Sequence, residues 1–109
     1  MSTAARTVVY EVNLDLDADV REDYLAWLRP HIAEILALPG FLGATLAEPV
    51  DPAAEAGHAL LCVQYTLADV DALQAYLRDH APRMREEGLA RFGGRFRAQR
   101  RVLQTLSHY

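Results

Sequence analysis

A chain of 109 residues makes one domain with a single core, and 51% hydrophobic against 24% charged residues excludes a disordered chain. All 11 basic residues are arginines, which excludes a lysine Schiff base and a lysine-type phosphate loop. Ser2 and Ser107 as the only serines exclude a serine triad, and the lone Cys62 excludes an internal disulfide and a multi-cysteine zinc site. The net charge of −4 is laid down unevenly, with 3 Arg against 12 acids over residues 1–77 and 8 Arg against 3 acids over residues 78–109.

Residues Thr7 to Leu16 alternate, Val8, Tyr10, Val12, Leu14 and Leu16 against Val9, Glu11, Asn13 and Asp15, which predicts a half-buried strand. Asp19 and Glu22 have the spacing of a capping box and predict a helix from there to about Leu38. Its apolar stripe is Val20, Tyr24, Trp27, Leu28, His31, Ile35 and Leu38, with Pro30 inside it and Pro39-Gly40 as the stop. Phe41 to Glu48 reads as a second strand, residues 48–57 as a Pro-containing loop, and His58 to Leu67 as a third strand apolar at both parities. A second capping box, Thr66 to Asp69, opens a helix with Val70, Leu73, Tyr76, Leu77, His80 and Met84 on one face. A break is expected before Pro82, with a new short helix starting there. Phe96 to Leu106 is the fourth strand, with Phe96, Ala98, Val102 and Leu106 in phase.

The order is β-α-β-β-α-β, which closes as a ferredoxin-like α+β domain over residues 1–109. A four-stranded antiparallel sheet carries both helices on one face. The other face is then bare. Apolar residues on it, from the third strand together with Val9 and Phe41 or Leu42, would call for a second copy, so a homodimer is expected. The polar strand residues Glu11, Asn13, Asp15 and Gln64 leave open that this face is solvated. No apolar run reaches the ~18–20 residues of a membrane span. The opening residues lack an export signal, and the cytoplasm is the expected compartment. The Arg-rich end is expected to pair with acids within the fold or across an interface. Nucleic-acid domains carry a basic excess overall, and no nucleic-acid partner is expected.

Tyr10-Glu-Val-Asn-Leu14, Tyr24 with Trp27-Leu28 and His31, Leu38-Pro-Gly-Phe41, Val63-Gln-Tyr65, Tyr76-Leu77 with His80-Ala-Pro82, Met84-Arg85 and Arg100-Arg101 together resemble a bacterial family of short proteins known as a domain of unknown function. The likeness spans about Val8 to Leu103. Pro30 and the Pro-rich loop depart from it. The family resembles the dimeric α+β barrel group, which includes cofactor-free monooxygenases, haem-degrading enzymes and small isomerases. The resemblance implies the fold and the dimer but no particular reaction.

Within that frame the candidate site lies between helices and sheet. His31 and His80 sit in the stripes of their own helices and are the candidate catalytic groups, as general acid or base. The competing reading makes them core residues bonded to carbonyls freed near Pro30 and Pro82. Glu11 and Asn13 are polar residues that must find partners or line a cavity. Trp27 with Tyr10, Tyr24, Tyr65 and Tyr76 can form an aromatic pocket or plain core. Arg85, with Arg83, Arg100 and Arg101, can clamp a carboxylate or phosphate. Two histidines would need a third ligand such as Glu11 to hold zinc, and no metal site is assigned. Haem-degrading relatives use an Asn on the first strand, a Trp on the third and a His ending the second helix. Asn13 and His80 match but Tyr65 replaces the Trp, so no cofactor is expected. The expected ligand is a small aromatic or anionic molecule, for proton transfer or cofactor-free oxygenation, and the alternative is a non-catalytic dimeric interaction module.

Overall fold

The computed structural model describes residues 6–109, so the opening stretch read for an export signal lies almost wholly outside them. The elements are β1 (Val8–Asp17), α1 (Arg21–Leu36), β2 (Phe41–Ala47), β3 (His58–Leu67), α2 (Val70–Asp79), α3 (Ala81–Phe92) and β4 (Phe96–Gln104), with single 3-10 turns at Ala18–Val20 and Gly93–Arg95. The strands lie in the order β2-β3-β1-β4 with every neighbouring pair antiparallel, the ferredoxin-like arrangement expected from the element order. None of the described helices is long and apolar enough to cross a membrane.

The alternation in β1 sorts the sheet into two faces. Val8, Tyr10, Leu14 and Leu16 are buried against the helices, together with Leu61, Val63, Tyr65 and Leu67 of β3 and with Leu28, Ile35, Leu73 and Met84. The intervening residues project from the uncovered face. There Glu11 stands beside Gln64 of β3 and Arg101 of β4, Asn13 beside Cys62 and Gln99, and Asp15 beside Leu60 and Arg97. The apolar bare face that argued for a second copy is therefore a mixed one. Phe41 is not part of it, since its ring packs edge-on against Tyr65 and Tyr76 on the covered side.

Helix starts follow local chemistry with two corrections. Asp19 does not cap α1, which begins after a 3-10 turn with Val20 in the N-cap position and no side-chain cap, because the Asp19 carboxylate is taken by Arg95. Asp69, not Thr66, caps α2 by accepting from the Ala72 N–H at 2.8 Å. Pro30 sits on the exposed side of α1, which runs on to Leu36. At the end of that segment Gly40 has φ 87°, and a Cβ there would lie 2.5 Å from the Ala72 Cβ, so the turn into β2 needs glycine both for its backbone and for the closeness of α2. His80 forms the joint between α2 and α3, with Pro82 in the first turn of α3 as expected.

Candidate functional site

Between α1, α3 and the covered face lies a cavity of about 60 Å³. At ~30 Å³ per water this is room for about two waters, well short of the ~150 Å³ of a protein cavity known to take up benzene. The sheet supplies Tyr10, Val12, Val63 and Tyr65, α1 supplies Tyr24, Trp27 and His31, α2 supplies Tyr76, and α3 and β4 supply Met84, Arg85, Phe96 and Arg100. The lining is thus a mixture of aromatic and aliphatic side chains with two guanidinium groups. Arg85 donates to the Tyr10 hydroxyl at 3.0 Å. Burial pushes the Tyr24 and Tyr76 phenols up to about 12 and Tyr65 higher still, with the Arg100 charge opposing in each case. At neutral pH these hydroxyls are protonated donors.

Trp27 and His31 form the outer wall. Their rings stack at 4.3 Å with an interplanar angle of 24°. The indole reaches this position because α3 carries Gly88 opposite it, where a Cβ would stand 3.2 Å from Trp27 Cη2. On the far side of the wall a groove of about 310 Å³ runs between α1 and α3, lined by Trp27, His31, Glu34, Glu87 and Arg91 among others. Burial pulls the His31 imidazole below its ordinary value, against the opposite pull of Glu87 and then Glu34.

The structure brings together Trp27, His31, Tyr65 and Arg85 and leaves out three expected site residues. Glu11 and Asn13 project from the opposite face of the sheet, because their odd positions in β1 point away from the helices. Glu11 is only 4% exposed there and is bonded by Arg101, by Gln64 at 2.8 Å and by Asn13 at 3.0 Å. Those hydrogen bonds hold its carboxyl down at about 2, so it is a fixed anion. His80 is the α2–α3 joint and is not among the cavity-lining residues, and its Nδ1 lies 3.5 Å from Arg83. A zinc set of His31, His80 and Glu11 and a haem-type set of Asn13 and His80 are therefore not assembled.

The C-terminal arginines pair within the fold. Arg97 joins Asp15 and Asp17, Arg95 joins Asp17 and Asp19, and Arg101 joins Glu11. Arg100 is the exception in this run, because its even position on β4 turns it to the helix side opposite Val12. That parity was visible in the sequence: Arg100 falls in phase with Phe96, Ala98 and Val102. Gly88 and Glu87 gave no comparable signal, since their meeting with α1 depends on how the helices pack.

Solved structures share this fold. SnoaB from Streptomyces nogalater, a cofactor-independent oxygenase, aligns over 95% of this chain and 97% of its own, at 15% identity and a TM-score of 0.62. The protein Rv0793 from Mycobacterium tuberculosis aligns over 94% of this chain and 97% of its own, at 20% identity and a TM-score of 0.67. A conserved protein from Methanosarcina mazei aligns over 94% and 96%, at 10% identity and a TM-score of 0.68. At such identities the likeness carries the ferredoxin-like fold alone. No curated protein matches the sequence. The model of the domain of unknown function DUF4286 matches residues 7–106, and the chain belongs to that family.

Proposed function

We propose that this chain binds a single-ring phenol or a similar small aromatic acid as its anion in the covered cavity. The carrying observation is the placing of two guanidinium groups, Arg85 and Arg100, on a cavity otherwise walled by aromatic and aliphatic side chains. An aromatic ligand fits among Tyr24, Trp27 and Tyr65, and its oxyanion is stabilised by the arginines and by tyrosine hydroxyls that stay protonated. The present volume is below that of a benzene-binding cavity, so a single ring enters with an outward shift of the Trp27–His31 wall.

A bound phenolate is more easily oxidised than the neutral phenol, which is what oxygenation by molecular oxygen without a cofactor requires. One phenol and one dioxygen give one quinone and one water, the ring supplying all four electrons as it gains one oxygen atom and loses two hydrogens. The oxygenase activity given for SnoaB, on the same fold, supports this reading. We propose further that two copies pair through the uncovered sheet face, which carries Val9, Leu60 and Leu103 beside the Glu11 network, as a mixed rather than apolar interface. Sedimentation at twice the 12.2 kDa chain mass supports this, and a 12.2 kDa species rejects it. The single Cys62 suits a reducing compartment such as the cytoplasm.

The test uses 4-nitrophenol, whose ionised form is yellow. Wild-type protein is expected to raise the ionised fraction saturably at slightly acid pH. The Arg85→Gln/Arg100→Gln double variant is expected to weaken binding at least tenfold. Equal binding by the double variant would overturn the reading and favour a non-catalytic interaction module. Oxygen uptake with phenols then separates an enzyme from a binding protein.

A further inference from the structure

We propose that His31, Glu34 and Glu87 form a site for one divalent transition-metal ion at the groove side of the α1–α3 contact. The site shares His31 with the cavity wall but takes both carboxylates from the groove side, so it does not rest on the phenol reading. Two of the donors come from one helix: His31 and Glu34 are three residues apart on α1 and so share a face. Glu87 reaches them from α3. A ring nitrogen of His31 and one oxygen from each carboxylate all lie within 4.8 Å of one another.

The imidazole is the second observation. Its Nδ1 is shut off from solvent and has no hydrogen-bond partner among the described residues. Glu87 Oε2 lies 3.6 Å from it, at ion-pair distance but longer than a hydrogen bond. His31 is 11% exposed at the side chain, so the nitrogen is aimed between the helices rather than into water. An ion bound there would satisfy it. Metal–donor bonds of roughly 2.0–2.2 Å place tetrahedral donors roughly 3.3–3.5 Å apart, so the three groups must close by little more than an ångström. Both carboxylates are partly exposed and free to make that move by side-chain rotation.

One imidazole nitrogen with two carboxylates is a borderline donor set suited to zinc, cobalt, manganese or iron in the divalent state. Three protein donors also leave positions open toward the groove. The carboxylates now share another cation. The Arg83 guanidinium lies 3.5 Å from Glu34 and 3.9 Å from Glu87, and it is 53% exposed. Arg83 and the metal must therefore compete for the same two charges.

The experiment is a titration of the full metal-free chain with cobalt(II), read by its visible absorption bands and by the melting temperature. The expected result is a one-to-one saturable band with a rise in melting temperature. Glu34→Gln and Glu87→Gln, both at partly exposed positions, are each expected to weaken binding at least tenfold. Arg83→Gln is expected to tighten it severalfold by removing the competitor. Absence of a band at saturating cobalt(II) overturns the proposal. A band that survives in the Glu34→Gln/Glu87→Gln double variant also overturns it, by locating the ion elsewhere. The result is independent of 4-nitrophenol binding, which the same double variant is expected to leave unchanged.

Discussion

The two faces of one sheet use the same strand in opposite ways. On the covered face β1 presents Val8, Tyr10, Leu14 and Leu16 to a close-packed core that stops short of filling the space beneath Trp27. On the uncovered face the same strand presents Glu11, Asn13, Asp15 and Asp17, of which the three acids meet arginines of β4 and its approach. The covered face keeps two arginines, Arg85 and Arg100, that are not tied to any acid by an ion pair among the described residues. On the uncovered face Arg95, Arg97 and Arg101 are all held by carboxylates. An anion from solution therefore meets two guanidinium groups without a carboxylate partner on the covered side, beside the aromatic rings.

The largest effect should come from the covered face. Leu16 is fully buried, and Leu16→Ala is expected to lower stability by about 2–5 kcal/mol in urea unfolding, through lost burial and the cavity left behind. Asp15→Ala, one residue away on the other face, should leave the midpoint almost unmoved. A comparable loss at both positions would erase the distinction between the faces.

Glu11 is the uncovered face's buried exception. Glu11→Gln removes the charge that Arg101, Gln64 and Asn13 share and is expected to cost ~1–3 kcal/mol at neutral pH. The folded chain keeps Glu11 ionised down to about 2, whereas the unfolded chain protonates it near its ordinary 4.5. Its stabilisation is therefore full above about pH 4.5 and drains away as the pH falls toward 2. Urea midpoints measured across that range should fall more steeply for the wild type than for Glu11→Gln. Parallel curves would show that the network does not hold this proton off. The smallest effect belongs to the exposed rungs. Arg95→Gln breaks the pairs to Asp17 and Asp19 and should not shift the unfolding midpoint beyond error, because water screens both partners.

Periodicity made most of the fold legible. The strict alternation in β1 and the helical stripes placed every main element, and Pro82 marked the α2–α3 joint. What failed was competition for side chains. Asp19 has the spacing of a cap, yet Arg95, 76 residues away in sequence, takes its carboxylate. The candidate site was half legible for the same reason. Trp27, His31, Tyr65 and Arg85 could be named from helix stripes and strand residues. The sheet face of Glu11 and Asn13 follows from one strand's parity only once it is known which parity the helices cover. His80 looked equivalent to His31 because both lie in apolar stripes, but a residue at a helix junction no longer obeys the helical phase. Glu34 and Glu87 read as surface charges, and only the approach of α1 to α3 puts them beside an imidazole nitrogen that has no hydrogen bond among the described residues.

The central claim is that the ligand lies on the covered face. Intermolecular nuclear Overhauser effects between the ring protons of bound 4-nitrophenol and the protein test it most directly. The account predicts contacts to the Trp27 and Tyr65 side chains. Contacts to Val9, Leu60 or Leu103, on the uncovered face, would contradict it.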